Sequence, residues 1–285
     1  MSIHVALFVV LLNMCAFRGS KVLVSLFALE LGAPQIMLGV IVALYSLCPT
    51  LLALYAGKLT DRLGVRWPLV LGCLGIGLSL LLPGLLPSLY TLYLSALLIG
   101  FCFVFYNVSV QNLVGMLSST EARTRNFSNL SLMIASGGFV GPLIAGFAID
   151  HFGHAIGYLC ISVLPAISAV IIFNGRHKLA ELSGARVKEE EAGYSVGLLN
   201  NLPLRRTLIT SGIILTAIDL FQFYMPIYGH AIGMSATAIG TVLAMFAGAS
   251  FIVRTILPQI VKRFGEEPVL VRLHEGVLDF TQAAA

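Results

Sequence analysis

Residues 56–67 read AGKLTDRLGVRW. Within them Lys58, Asp61, Arg62 and Arg66 crowd together, with Gly57 and Gly64 between. The text on either side, residues 37–56 and 68–87, is almost entirely apolar. Each of those flanks has the roughly 20 residues that an α-helix needs to cross a bilayer. The charged stretch is therefore the connection between two membrane spans.

The composition agrees. Of 285 residues, 58% are hydrophobic and 11% charged, where a soluble domain carries about 25% charge. A globule of this size has too little interior to hide so much apolar surface from water, so lipid is the main solvent. The net charge of +4 sits in short patches between apolar runs, which marks membrane topology rather than nucleic-acid binding. Cys15, Cys48, Cys73, Cys102 and Cys160 fall inside apolar segments without CxxC spacing, and read as small core residues. The run 4–17 has no preceding basic residue and no clean small-x-small site after it, so it is not read as a signal peptide.

Eight spans are expected, at 4–29, 37–56, 68–87, 89–113, 128–149, 155–174, 207–228 and 237–257. No ten-residue segments alternate with period 2, which argues against a lipid-embedded β-barrel. Pro49, Pro83, Pro142, Pro165 and Pro226 lie inside spans, where neighbouring helices tolerate kinks. The linkers after the even-numbered spans hold the basic residues, among them Lys58, Arg62, Arg66, Arg123, Arg125, Arg176, Arg205, Arg206, Lys262 and Arg263. The alternate linkers hold Glu30, Asp150 and histidines. This asymmetry puts the amino terminus and the basic linkers in the cytoplasm. The domain organisation that follows is a six-helix amino-terminal bundle (1–174), a polar cytoplasmic linker with the run VKEEE (175–206), a partial second bundle of two helices (207–267) and a polar tail (268–285).

The chain repeats itself. LGAPQIMLGVIVALYSL…LTDRLG aligns with IGMSATAIGTVLAMFAG…IVKRFG at an offset of 201, setting Gly32 on Gly233, Gly39 on Gly240, Arg62 on Arg263 and Gly64 on Gly265. The same offset sets Arg18 on Asp219. Repeated halves with a site near the midplane between them are typical of secondary transporters. The counterpart of the third span turns into RLHEGVLDFTQAAA, too polar to cross lipid, so the repeat leads one to expect a truncated or frame-shifted product.

The charged stretch resembles the loop motif G-x-L-x-D-R-x-G-R-[RK] of the major facilitator superfamily. Gly57, Leu59, Asp61, Arg62, Gly64 and Arg66 match, and Val65 replaces a usual basic residue. A second stretch, SGGFVGPLIAGFAIDHFG in the fifth span, resembles the antiporter motif of the same superfamily through Gly137, Gly138, Gly141, Pro142 and Gly146. Physically, the glycines admit a neighbouring backbone and the proline bends the helix. The resemblance implies an all-α polytopic membrane protein: a facilitator-type six-helix amino-terminal bundle plus the first two helices of a second. It further implies proton-coupled export of a small solute by alternating access, with Asp61 gating against the start of an eleventh span. One family feature is missing, since Ala96 stands four residues before Gly100 where drug/proton antiporters often carry arginine.

Charge inside the spans points to the site. Arg18 and Lys21 lie one turn apart in the first span, and Asp219 lies in the seventh. A charge at mid-bilayer costs about 2.5–3.5 kcal/mol on insertion scales, and such residues face cavities or partners. Arg18 and Asp219 are expected to line a central cavity as a pair. Lys21 is a further cavity candidate that, like Arg18, can hold an anionic substrate group, though it lies close enough to an end to snorkel, and Arg254 is expected to snorkel. Tyr106, Asn107, Gln111 and Asn112 in the fourth span and Gln222 and Tyr224 in the seventh are further polar candidates. The sequence shows no HExxH, GxSxG or GxxxxGK[ST] pattern and no His/Cys cluster, so no enzyme, metal or cofactor is expected. The expected partners are a small solute, protons and the lipid of the plasma (inner) membrane. Two other readings stand beside export: a non-transporting fragment that only packs or oligomerises, and an uptake carrier for a small anionic metabolite.

Overall fold

The computed structural model describes residues 2–174 and 202–264, and the side chains within them except 202–208, 254–255 and 257–264. The linker residues 175–201, the tail 265–285 with Gly265, and the side chains of Arg205, Arg206, Arg254, Lys262 and Arg263 lie outside the described residues. Every regular element described is an α-helix: α1 (Ile3–Glu30), α2 (Gln35–Leu63), α3 (Arg66–Leu85), α4 (Leu89–Met116), α5 (Arg123–Asn174), α6 (Leu202–Ala231) and α7 (Ala236–Phe264). A lipid solvent leaves little choice, because each backbone amide must find its partner inside its own segment.

All seven helices are long and apolar enough to cross a membrane. Helix α5 has 52 residues, about 78 Å at 1.5 Å per residue, more than twice the roughly 30 Å hydrocarbon layer. It breaks at Gly153 (φ 80°, ψ 170°). Its two arms are the fifth and sixth spans, so the described chain crosses eight times, and α6 and α7 are the seventh and eighth spans.

The charged stretch is less of a loop than its composition suggests. Helix α2 runs on through Leu63, so Gly57, Lys58, Leu59, Asp61 and Arg62 ride on its last two turns. Only Gly64 (φ 74°) and Val65 separate α2 from α3. The 29 residues of α2 rise about 43 Å, the thickness of hydrocarbon plus headgroup layers. The charges therefore sit in the headgroup layer without ending the helix. Thr60 is buried there, donating to the Ala56 carbonyl (2.7 Å) and lying 3.5 Å from Ser109 Oγ of α4.

The repeat is visible in the backbone. Helices α2 and α7 have 29 residues each and begin and end at the offset of 201. Helices α1 and α6 end alike: Gly32 N–H donates to Leu29 O and Ala33 N–H to Ala28 O, as Gly233 donates to His230 and Met234 to Gly229. Gly32 and Gly233 hold φ of 75° and 79°, the left-handed conformation that closes a helix and favours glycine.

Helix α1 is the most enclosed element, packed mainly on α5 and also on α4 and α6. Phe17 stacks on Phe103 (centroids 3.7 Å apart), and Tyr45, Tyr106 and Tyr158 are fully buried around it. Cys15, Cys48 and Cys73 are buried as expected, whereas Cys160 is exposed on the second arm of α5.

Candidate functional site: a charged cavity between the two halves

The first arm of α5 carries two glycine-lined faces. A Cβ on Gly141 would lie 2.5 Å from the Cys15 carbonyl oxygen and 3.0 Å from Gly19 N, and Gly137 likewise abuts Met14 and Cys15 of α1. One residue round the helix, Gly138 faces Ala247, Gly146 abuts the Ala236 carbonyl, and Gly240 of α7 abuts the Pro142 carbonyl. The antiporter-like motif is thus a wedge between α1 and α7, held backbone to backbone on both sides. This close approach draws the second half onto the first.

Beside the wedge lies a cavity of about 120 Å³. Arg18 and Lys21 of α1, Gly138 and Pro142 of α5, Ile218 and Gln222 of α6, and Phe246 and Ser250 of α7 contribute to its wall. Lys21 Nζ lies 3.1 Å from Asp219 Oδ1, and Arg18 Nη1 donates to Gln222 Oε1 at 2.6 Å. The Lys21 ammonium also sits 5.4 Å from the centroid of the Phe17 ring. The Lys21 side chain is only 15% exposed, against 50% for Asp219. A larger apolar groove of about 510 Å³ runs between α3 and the second arm of α5, with Ser162 its only polar lining residue.

Several expectations change here. The repeat aligns Arg18 with Asp219 and Lys21 with Gln222, but the contacts run along the diagonals. Both cations have long stems, and each reaches one turn away from its counterpart. Lys21 lines the cavity instead of snorkelling, whereas Asp219, expected to line it, is half exposed and lies outside its lining. Tyr106 is fully buried inside the first bundle, against Gly72 of α3, with its hydroxyl 3.5 Å from the Val9 carbonyl. Asn107 is half-buried, and neither it nor Tyr106 lines the cavity. Asp61 and Arg62 are exposed, and Arg66 lies over the Trp67 ring at 5.0 Å.

A second polar cluster lies at the end of the molecule away from the basic linkers. Asp150 Oδ1 accepts from Ala236 N–H (3.0 Å) and Oδ2 from Thr237 N–H (2.7 Å). The carboxylate thereby caps the first turn of α7 from another span. Nearby, His154 pairs with Glu30 and stacks on Phe27 (centroids 5.2 Å apart). The sequence offered Asp150 as an acidic residue of a linker, and nothing local to it named a partner 86 residues on. Among the described residues no group of three or more His, Cys, Asp or Glu side chains could hold a metal ion.

The sequence signature of the Major Facilitator Superfamily matches residues 6–274. The class B tetracycline resistance protein of Escherichia coli is 30% identical over 47% of this chain and 33% of its own length. The class E tetracycline resistance protein of Escherichia coli is 25% identical over 76% and 56%, respectively. The quinolone resistance protein NorA of Staphylococcus aureus is 26% identical over 46% and 35%. The chain thus aligns with between a third and just over half of the length of these relatives. Among solved structures, the nucleoside transporter NupG superposes with a TM-score of 0.72 at 12% identity, covering 93% of this chain and 69% of that one. A bacterial homologue of the human lysosomal transporter Spinster gives 0.68 at 14% identity, over 93% and 62%. At these identities the structural likeness speaks for the fold.

Proposed function

The chain belongs to the Major Facilitator Superfamily, and from that premise we propose that it is a secondary transporter exporting a small solute by proton-coupled alternating access. The observation that carries the reading is the pair of polar bridges, Lys21–Asp219 and Arg18–Gln222, joining the two halves at a cavity lined by Arg18, Lys21 and Gln222. Resistance proteins among the relatives favour export over uptake.

The chemistry follows from charge. An ionised Asp219 holds Lys21 and ties α6 to α1. A proton on Asp219 removes that attraction and leaves Lys21 beside Arg18 on an apolar wall, an arrangement that low dielectric penalises. The halves then separate at the cavity, or a solute group takes the vacated contact. Gln222 supplies a neutral acceptor, and Phe246 with Ile218 supplies apolar wall. Tyr106 and Asn107 support the fourth span in this reading. Gly57, Leu59, Asp61, Arg62, Gly64 and Arg66 form the gating element on the basic face. That face is cytoplasmic and the membrane is the inner one, by the distribution of Lys and Arg.

The test is flux in proteoliposomes holding the chain, with tetracycline as probe and an imposed pH gradient. Gradient-driven accumulation is expected for the unaltered chain, and Asp219→Asn is expected to abolish its dependence on the gradient. Unaltered gradient dependence in Asp219→Asn would remove that carboxylate from coupling.

A further inference from the structure

Resting on the transport reading above, we propose that Asp150 is a gating residue: its carboxylate latches the fifth and eighth spans together at the face opposite the basic linkers, and proton uptake there releases them. Four observations carry this.

The carboxylate does not cap its own helix. It reaches from the end of the first arm of α5 to two amides of α7, so the contact joins the two halves rather than stabilising one. Both amides belong to the first turn of α7, where helix N–H groups lack intrahelical acceptors and the dipole favours negative charge. The negative charge is therefore what binds, and a neutral carboxyl is the weaker partner.

The seam beneath the latch is bare backbone. Gly146 meets the Ala236 carbonyl and Gly240 meets the Pro142 carbonyl. At these two points the helices close without interlocking side chains, which pack across the seam further along, where Phe139 meets Gly248. Asp150 is moreover exposed, so protons reach it from that face and water replaces its two amide contacts when it leaves. A fully buried carboxylate would lock the seam; this one holds it reversibly.

Other titratable groups surround it: Glu30 at the end of α1, His151 and His154 on α5, and His230 on α6. On α7 the first-turn neighbours Ser235 and Thr237 are neutral. The Glu30–His154 pair ties α1 to α5, which both belong to the first half, so its protonation does not open the seam. Asp150 alone among these is shown bridging to α7.

The test uses the chain in nanodiscs, where both faces see one pH, with native cysteines replaced and spin labels placed in two pairs. Phe152→Cys with Thr241→Cys reports the latch end of the seam, and Thr124→Cys with Ile256→Cys reports the opposite end. Burial raises the Asp150 carboxyl, but its contacts with the start of α7 outweigh this and hold it below the ordinary carboxylate range. The latch pair is therefore expected to shift to longer distances, and the opposite pair to shorter ones, only as pH falls from 8 towards 3. Asp150→Asn is expected to show the acid distribution already at pH 8 and to lose the pH response, while Asp150→Glu retains it. Ala236→Pro, which deletes one amide donor at a position where helices accept proline, is expected to shift the same way. Wild-type distances in Asp150→Asn overturn the proposal. So does a latch pair that lengthens with the opposite pair unmoved, which is local fraying. A pH response lost in Glu30→Gln or His154→Gln with Asp150 intact overturns it as well. Failure of the transport reading shows separately, as absent flux in a chain whose distances still respond to pH.

Discussion

Lys21 carries its charge near the middle of α1, largely shielded, with its counter-charge on a helix made much later in the chain. Removing one member of such a pair leaves a poorly solvated charge, whereas removing both leaves two neutral groups. Asp219 is half exposed, so the single loss falls between the surface and buried limits, about 1–3 kcal/mol. Lys21→Gln/Asp219→Asn is therefore expected to melt closer to the unaltered chain than Asp219→Asn does, in thermal unfolding followed in detergent. That a carboxylate and two cations share one site was legible in the sequence, because intramembrane charge is rare and these residues fall in corresponding spans. Which cation meets Asp219 was not. One turn of helix is shorter than a lysine or arginine stem, so residue spacing cannot choose between them.

Between helices, the glycines decide how close the spans come. Gly141→Ala would place a methyl 2.5 Å from the Cys15 carbonyl, an overpacking that costs about 1–3 kcal/mol. Gly212 on α6 has no neighbour within 4 Å of the added methyl, so Gly212→Ala is expected to be neutral or to stabilise by about 0.5–1 kcal/mol. Detergent melting of the two variants side by side checks both. Gly32→Ala and Gly233→Ala are expected to cost the same, about 1–2 kcal/mol each, because both positions hold left-handed φ in otherwise open space. Unequal losses would show that the two helix ends are not energetic equivalents. The glycine-rich span was readable from sequence as a packing element, but its division into two faces was not: Gly137 and Gly138 are neighbours in sequence yet serve opposite partners. Helix α2 misled for the opposite reason. Its charged last turns look like a loop, though charge ends a membrane span and not a helix.

At the scale of the molecule, apolar length named all eight spans, while the helix ends ran up to seven residues past the apolar text, at Leu63 and Phe264. Among the described residues, the basic connections after the second and fourth spans lie at one end of the bundle and Glu30, Asp150 and His154 at the other. In a cysteine-free background, an impermeant maleimide added to intact cells is expected to label Tyr90→Cys and to leave Ser119→Cys unlabelled until the cells are opened. Equal labelling of both would refute the proposed orientation.

The Lys21–Asp219 bridge also has a history in time. Its ends lie 198 residues apart, and synthesis proceeds at about 5–20 residues per second, so Lys21 is made some 10–40 s before Asp219. Through that interval α1 enters the bilayer with its lysine, and with Arg18 beside it, before their partners on α6 exist. Stems long enough to lift a charge towards the headgroups can hold such a helix in place meanwhile. When α6 emerges, with Asp219 and Gln222 in a span otherwise sparsely packed, it finds two donors already waiting. The contact on which transport is proposed to turn thus forms only after the fifth and sixth spans have been made, and α1 is completed by a helix synthesised long after it.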